Sequence, residues 1–225
     1  MRRHLVAAAL VAQLSLVTVV TARAADPATA VLAIAAASLI AVLGLGRVDP
    51  PSRAVPGALG LLDPAWSLAL LVRRRLPATA LVPAWAASIV GALVGGLLGG
   101  IVVARLPRLL VQDQPDLVAA GIVLGAVGVG SCWTVLWADR AAGGKSAAEA
   151  RAAAGSTALP AISATAALPA VFVGAANPAV LFAVGVSGQA DWSYVLVAAL
   201  CLTAAVVVTA VLGTAVSARR APGPR

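Results

Sequence analysis

Histidine, lysine and glutamate each occur once in this 225-residue chain, as His4, Lys145 and Glu149. That scarcity excludes the familiar catalytic triads and histidine-ligated metal sites, so neither an enzyme, a metal nor a cofactor is expected. Cys132 and Cys201 stand alone in apolar runs, with no metal-ligand spacing and no nearby base, and read as helix-packing residues. Charge of either sign is sparse, at 11% of residues. A disordered class is excluded with it, and two isolated cysteines exclude a disulfide-rich secreted one. The sixteen basic residues outnumber the eight acidic ones, for a net charge of +8. On so apolar a chain that surplus reads as membrane topology, and no nucleic-acid partner is expected.

What the chain has in abundance is hydrocarbon. Hydrophobic residues make up 61% of it and its mean hydropathy is +1.01, well beyond the roughly half-apolar average of soluble domains. Six stretches, 5–22, 28–46, 80–104, 117–138, 155–173 and 192–217, are long enough to cross about 30 Å of lipid at about 1.5 Å per residue. With both termini in the cytoplasm, thirteen basic residues fall inside and only Arg23, Arg105 and Arg108 outside. Span count and positive-inside bias therefore agree, and the expected location is the plasma membrane, crossed several times. Arg2, Arg3, the apolar run after them and Ala22-Arg23-Ala24 before Ala25 also spell a cleavable signal peptide. The run is longer than a usual signal core, and its removal would leave an odd number of spans, so a retained first helix is the preferred reading.

Two further apolar segments are too short to span. One follows the second span and opens with Asp63-Pro64-Ala65; the other follows the fifth and opens with Asn177-Pro178-Ala179. The boxes lie 114 residues apart, each has a glycine three positions upstream, Gly60 and Gly174, and each precedes the last span of its half. This spacing predicts a duplication, residues 1–112 and 113–225 within one membrane domain, each with three spans and a half-helix at 63–72 or 177–186. Three spans per half require the copies to lie in opposite orientation, an inverted repeat whose half-helices enter from opposite sides and meet by their N-termini near the midplane. Asp or Asn as N-cap followed by Pro at the first helical position is a natural helix start. Facing N-termini carry partial positive charge, repel cations and protons, and leave neutral hydrogen-bonding molecules free to pass. The amide of Asn177 adds a donor there.

These residues resemble the aquaporin family, the major intrinsic proteins, over nearly the whole chain. The run Gly174-Ala175-Ala176-Asn177-Pro178-Ala179-Val180 is similar to the family's second signature, and the stretch from Asp63 through Arg75 into residues 85–100 is similar to its first box and third span. Gln13 sits where many members carry a glutamate. The resemblance implies an all-α membrane protein with an aquaporin-like inverted repeat of six transmembrane helices plus two re-entrant half-helices. It also implies passive passage of water or a small uncharged solute, and a homotetramer in the lipid bilayer.

Two departures bear on selectivity. Asp63 replaces the first asparagine; ionised it would offset the helix dipole, protonated or neutralised it would not, and it also reads as an ordinary N-cap. Val180 stands where most members place the arginine of the narrow filter, which predicts a wider and more apolar constriction. Trp66, at the aligned place of the first box, could narrow the pore, face lipid, or pack on the third span. Thr165 is a candidate for the filter position that water-specific members fill with histidine. Gly91, Gly95, Gly96, Gly99 and Gly100, with Gly121 and Gly125, are expected to give close helix crossings. The Arg73-Arg74-Arg75 cluster reads as an anchor to anionic headgroups ahead of a gate, residues 141–154 as a linker, and 221–225 as a disordered tail. A channel is the leading function. A non-conducting scaffold with a degenerate pore and an ion-coupled secondary transporter using Asp63 are the competing classes.

Overall fold

The computed structural model describes residues 1–24, 27–48, 60–106, 117–141 and 177–219, and among them there is helix but no strand. The helices are α1 (Arg2–Ala24), α2 (Pro27–Val48), α3 (Pro64–Val72), α4 (Ala78–Val103), α5 (Leu117–Ala141), α6 (Pro178–Val186) and α7 (Trp192–Arg219). Helix is the natural state for such sequence, because each backbone N–H and C=O finds its partner within the segment when no water is at hand. Two of the threonine hydroxyls are absorbed the same way. Thr18 Oγ1 donates to Leu14 O at 2.8 Å and Thr209 Oγ1 to Ala205 O at 2.7 Å, one turn back.

Three stretches, Arg2–Arg23, Ala78–Val103 and Trp192–Gly213, are long and apolar enough to cross a membrane, which marks the chain as a membrane protein. Shorter apolar stretches, Leu32–Leu45 and Leu117–Gly130, lie in α2 and α5. The outer surface agrees: Val90, Leu93 and Leu97 of α4 and Leu196 and Leu200 of α7 are large, apolar and at least 40% exposed. The fifth span expected at 155–173, Thr165, the glycine at 174, the tail, and the linker apart from Ala141 lie outside the described residues.

Helix pairings come in matched sets. α1 packs on α4 as α5 packs on α7; α3 packs on α7 as α6 packs on α4; and each short helix leans on the long helix that follows it. The spacing of 114 holds for the elements themselves, since α3 and α6 are nine residues each and α4 and α7 begin at Ala78 and Trp192.

Lipid gives apolar helices little reason to associate, so close backbone approach has to supply it. On α4, Gly91 and Gly95 lie against the backbone carbonyls of Ala8 and Ala12, and a Cβ at Gly99 would stand 2.6 Å from Val19 Cγ1. Residue numbers climb together along this seam, so α1 and α4 run parallel. The neighbouring face of α4 receives α6, with Gly96 against Ala183 and Gly100 against Ser187. In the second half the expectation needs correcting. A Cβ at Gly121 would stand 3.2 Å from Cys201 Sγ, but among the described residues nothing lies within 4 Å of a Cβ at Gly125, and the tight approach to α7 falls to Gly128 against Leu202 and Ala205. Positions 121 and 128 are two helical turns apart on one face, and the place between them in the core is taken by the wholly buried Leu124.

Candidate functional site

The two short helices begin alike. Asp63 and Asn177 hold extended backbones, φ −133° and −138° with ψ 117° in both, and each is followed by proline in the first turn. Asp63 Oδ1 accepts from the N–H of Ala65 at 2.8 Å and, more weakly, of Trp66 at 3.4 Å. Asn177 Oδ1 accepts from the N–H of Ala179 at 2.9 Å. Such caps stabilise a helix by about 0.5–2 kcal/mol, a large share for one of nine residues.

The caps meet. Asn177 Nδ2 donates to the backbone carbonyl of Leu62 at 3.1 Å, the residue directly before Asp63 and 115 positions away in the chain. Ser88 Oγ donates from α4 within 3.1 Å of both Leu61 O and Ala84 O, so the carbonyl two residues before the first cap is held from α4. These bonds fix the depth of the junction. Ser88 is near the middle of Ala78–Val103, and stepping back from the Gly96–Ala183 and Gly100–Ser187 contacts brings Pro178 level with Gly91. α6 accordingly runs beside the second half of α4. α3 starts beside its middle and returns, through 73–77, to its beginning.

Burial is nearly complete at this junction. Asp63 is 5% exposed, Asn177 9%, and Ala65 and Ala179 are enclosed. No arginine or lysine among the described residues is paired with Asp63. Trp66 is buried in an apolar cluster with Leu124 of α5 and Tyr194 and Leu202 of α7, so the lipid-facing reading does not hold. Val180, three residues past its own cap as Trp66 is, is wholly buried with Leu14 of α1 and Ile34 and Ala37 of α2.

The far ends match as well. The N–H groups of Arg73, Arg74 and Arg75 donate to the carbonyls of Ala69, Leu71 and Leu70, and those of Ser187, Gly188 and Gln189 to Ala183, Gly185 and Val184, the same bonds shifted by 114. Arg74 (φ 55°) and Gly188 (φ 72°) are both left-handed. Glycine adopts that conformation freely, whereas for arginine it is strained by about 1–2 kcal/mol. Gln189 Nε2 then donates to Val19 O of α1 at 2.7 Å, a tether from the end of α6.

Asp63, Pro64, Ala65, Asn177, Pro178 and Ala179, the box residues named from the sequence, are the caps and first residues of α3 and α6. Sequence reasoning missed Ser88, the Leu61 and Leu62 carbonyls and Gln189. The paired left-handed turns had a signal, since an offset of 114 sets Arg74 against Gly188; the carbonyl partners had none, because backbone acceptors carry no residue identity. The chain matches no family model and no curated protein.

Proposed function

We propose that the protein is an aquaporin-like channel, an inverted repeat of six spans and two re-entrant half-helices that passes water or a small uncharged solute down its gradient. The observation that carries the reading is the bond from Asn177 to the carbonyl before Asp63, level with the middle of α4. Two capped helix N-termini brought together at that depth are a poor investment for a lipid-embedded chain unless the polar groups there serve a permeant. One hydrogen of the Asn177 amide is bonded to Leu62 O and the other offers a donor to a passing oxygen, and the two positive dipole ends oppose cations. No ion gradient or cofactor enters. Both termini then face the cytoplasm, the plasma membrane is the site of action, and four copies, each with its own pore, form the assembly.

Asp63 makes the two sides of the junction unequal. An amide both accepts and donates, whereas a carboxylate only accepts. The first cap therefore holds its helix without offering a donor to the permeant, and Asn177 supplies that donor alone. Stopped-flow light scattering on proteoliposomes under osmotic shock, with impermeant and test solutes in turn, tests the proposal. Shrinkage or reswelling faster than in empty liposomes is expected. Rates equal to empty liposomes for water and for every solute would leave a scaffold, and uphill accumulation driven by a proton or sodium gradient would make the protein a transporter.

A further inference from the structure

The turn after α3 carries Arg73, Arg74 and Arg75; its counterpart after α6 is Ser187, Gly188 and Gln189. The N–H groups of residues 73–75 and 187–189 make matching backbone bonds, so the backbone of the turn does not call for arginine. At the middle position arginine is the worse choice, since Gly188 adopts freely the left-handed backbone that Arg74 holds under strain. Arg74 and Arg75 are exposed and Arg73 is the half-buried C-cap residue. The three are adjacent to the start of α4. Because α1 runs parallel to α4, the exposed Arg2 and Arg3 at the start of α1 lie toward the same side. A cationic face thus gathers on one side of a chain whose adjoining helices are apolar.

From this we infer that the 73–75 turn is a binding site for the phosphate of anionic lipid headgroups in the leaflet around the start of α4. The guanidinium groups suit phosphate oxygens, to which they donate in pairs. The apolar outer face of α4 beside them, with Val82 at 73% exposure, suits the acyl chains of the same lipid. A soluble phosphate would use only the first of these features. The inference needs the chain to be membrane-embedded but not to conduct, so its failure and that of the channel reading are separable.

The test is native mass spectrometry of the full chain released from neutral detergent, titrated with phosphatidylglycerol, with phosphatidylcholine, and with inorganic phosphate as competitor. Preferential retention of phosphatidylglycerol is expected, with about a fivefold loss of affinity for each arginine removed. Arg74→Gly should lose part of it while melting no earlier than the wild type, the double variant Arg74→Gly/Arg75→Gln should lose more, and Arg74→Lys should keep most of it. Equal retention of the two lipids, or undiminished retention by the double variant, would overturn the inference. So would displacement of phosphatidylglycerol by inorganic phosphate at equal concentration, which would make this a soluble-anion site.

Discussion

Residues 63–75 and 177–189 make the same backbone hydrogen bonds in the same order, from Ser67 or Leu181 onto the cap carbonyl to Arg75 or Gln189 onto the last turn. Their side chains share little beyond the Pro-Ala pair after each cap. The first has an acidic cap, a buried tryptophan at the third position and arginines at the end; the second has an amide cap, a valine and a glycine-containing turn tethered to α1. What the two retain in common is what a half-length helix needs to stop and start in lipid: an oxygen to receive first-turn N–H groups, a proline whose missing donor is harmless there, and a left-handed residue to close the last turn. What differs is free for other uses. Of the two caps only Asn177 reaches across to the opposite segment among the described residues, so there the junction is held from one side.

That asymmetry can be broken at several points. The largest effect is expected where α1 and α4 touch: Gly95→Leu drives a side chain into the Ala12 backbone and should prevent a stable fold or lower the detergent melting midpoint by more than ten degrees, whereas Gly125→Ala, which meets nothing among the described residues, should match or exceed wild type by up to about 1 kcal/mol. Circular dichroism melts on the pair read the difference. Next in size, Asn177→Ala removes a cap and strands the Leu62 carbonyl, for a loss of about 2–4 kcal/mol, against about 1 kcal/mol for Asp63→Ala, which removes a cap alone. Equal losses in chemical unfolding would show that the bridging bond contributes nothing.

Smaller shifts are expected at the helix ends. Arg74→Gly should raise stability by about 1 kcal/mol and Gly188→Ala lower it by about as much, since one relieves a left-handed strain that the other introduces. The mildest change in stability is expected from Asp63→Asn, which keeps an N-cap acceptor while giving both half-helices the same amide. Its readout is proton leak through proteoliposomes, measured with an entrapped pH dye, and a leak below wild type is expected; identical leak across pH would remove the carboxyl from any role in ion exclusion.

The helices, their caps and the repeat could be read from residues because the physics acting on them is local. An unbroken apolar run in lipid has to be helix, and Asp63-Pro64 or Asn177-Pro178 mark a start wherever they lie. Glycine spacing foretold close crossings on α4 for the same reason, but on α5 it pointed to Gly121 and Gly125 and not to Gly128, which makes the tighter approach to α7 among the described residues. The bonds that set the junction's depth, Ser88 to Leu61 and Asn177 to Leu62, join a side chain to a carbonyl with no signature in sequence. Trp66 was open between pore, lipid and packing because burial at a short helix depends on which long helices surround it: α5 and α7 enclose Trp66, and α1 and α2 enclose its counterpart Val180.

The account stands on two short helices leaving a shared midpoint in opposite directions, and a distance between their far ends measures this directly. Spin labels at Arg74→Cys and Gly188→Cys, with Cys132 and Cys201 replaced by alanine, can be read by pulsed electron paramagnetic resonance in lipid nanodiscs. The stretch of α4 between the two levels, Ala78 to Gly100, corresponds to about 33 Å at the helical rise, and a separation of about 30 Å or more is expected. A distance under about 15 Å, little more than the length of one nine-residue helix, would mean that both ends emerge on one side and would contradict the account.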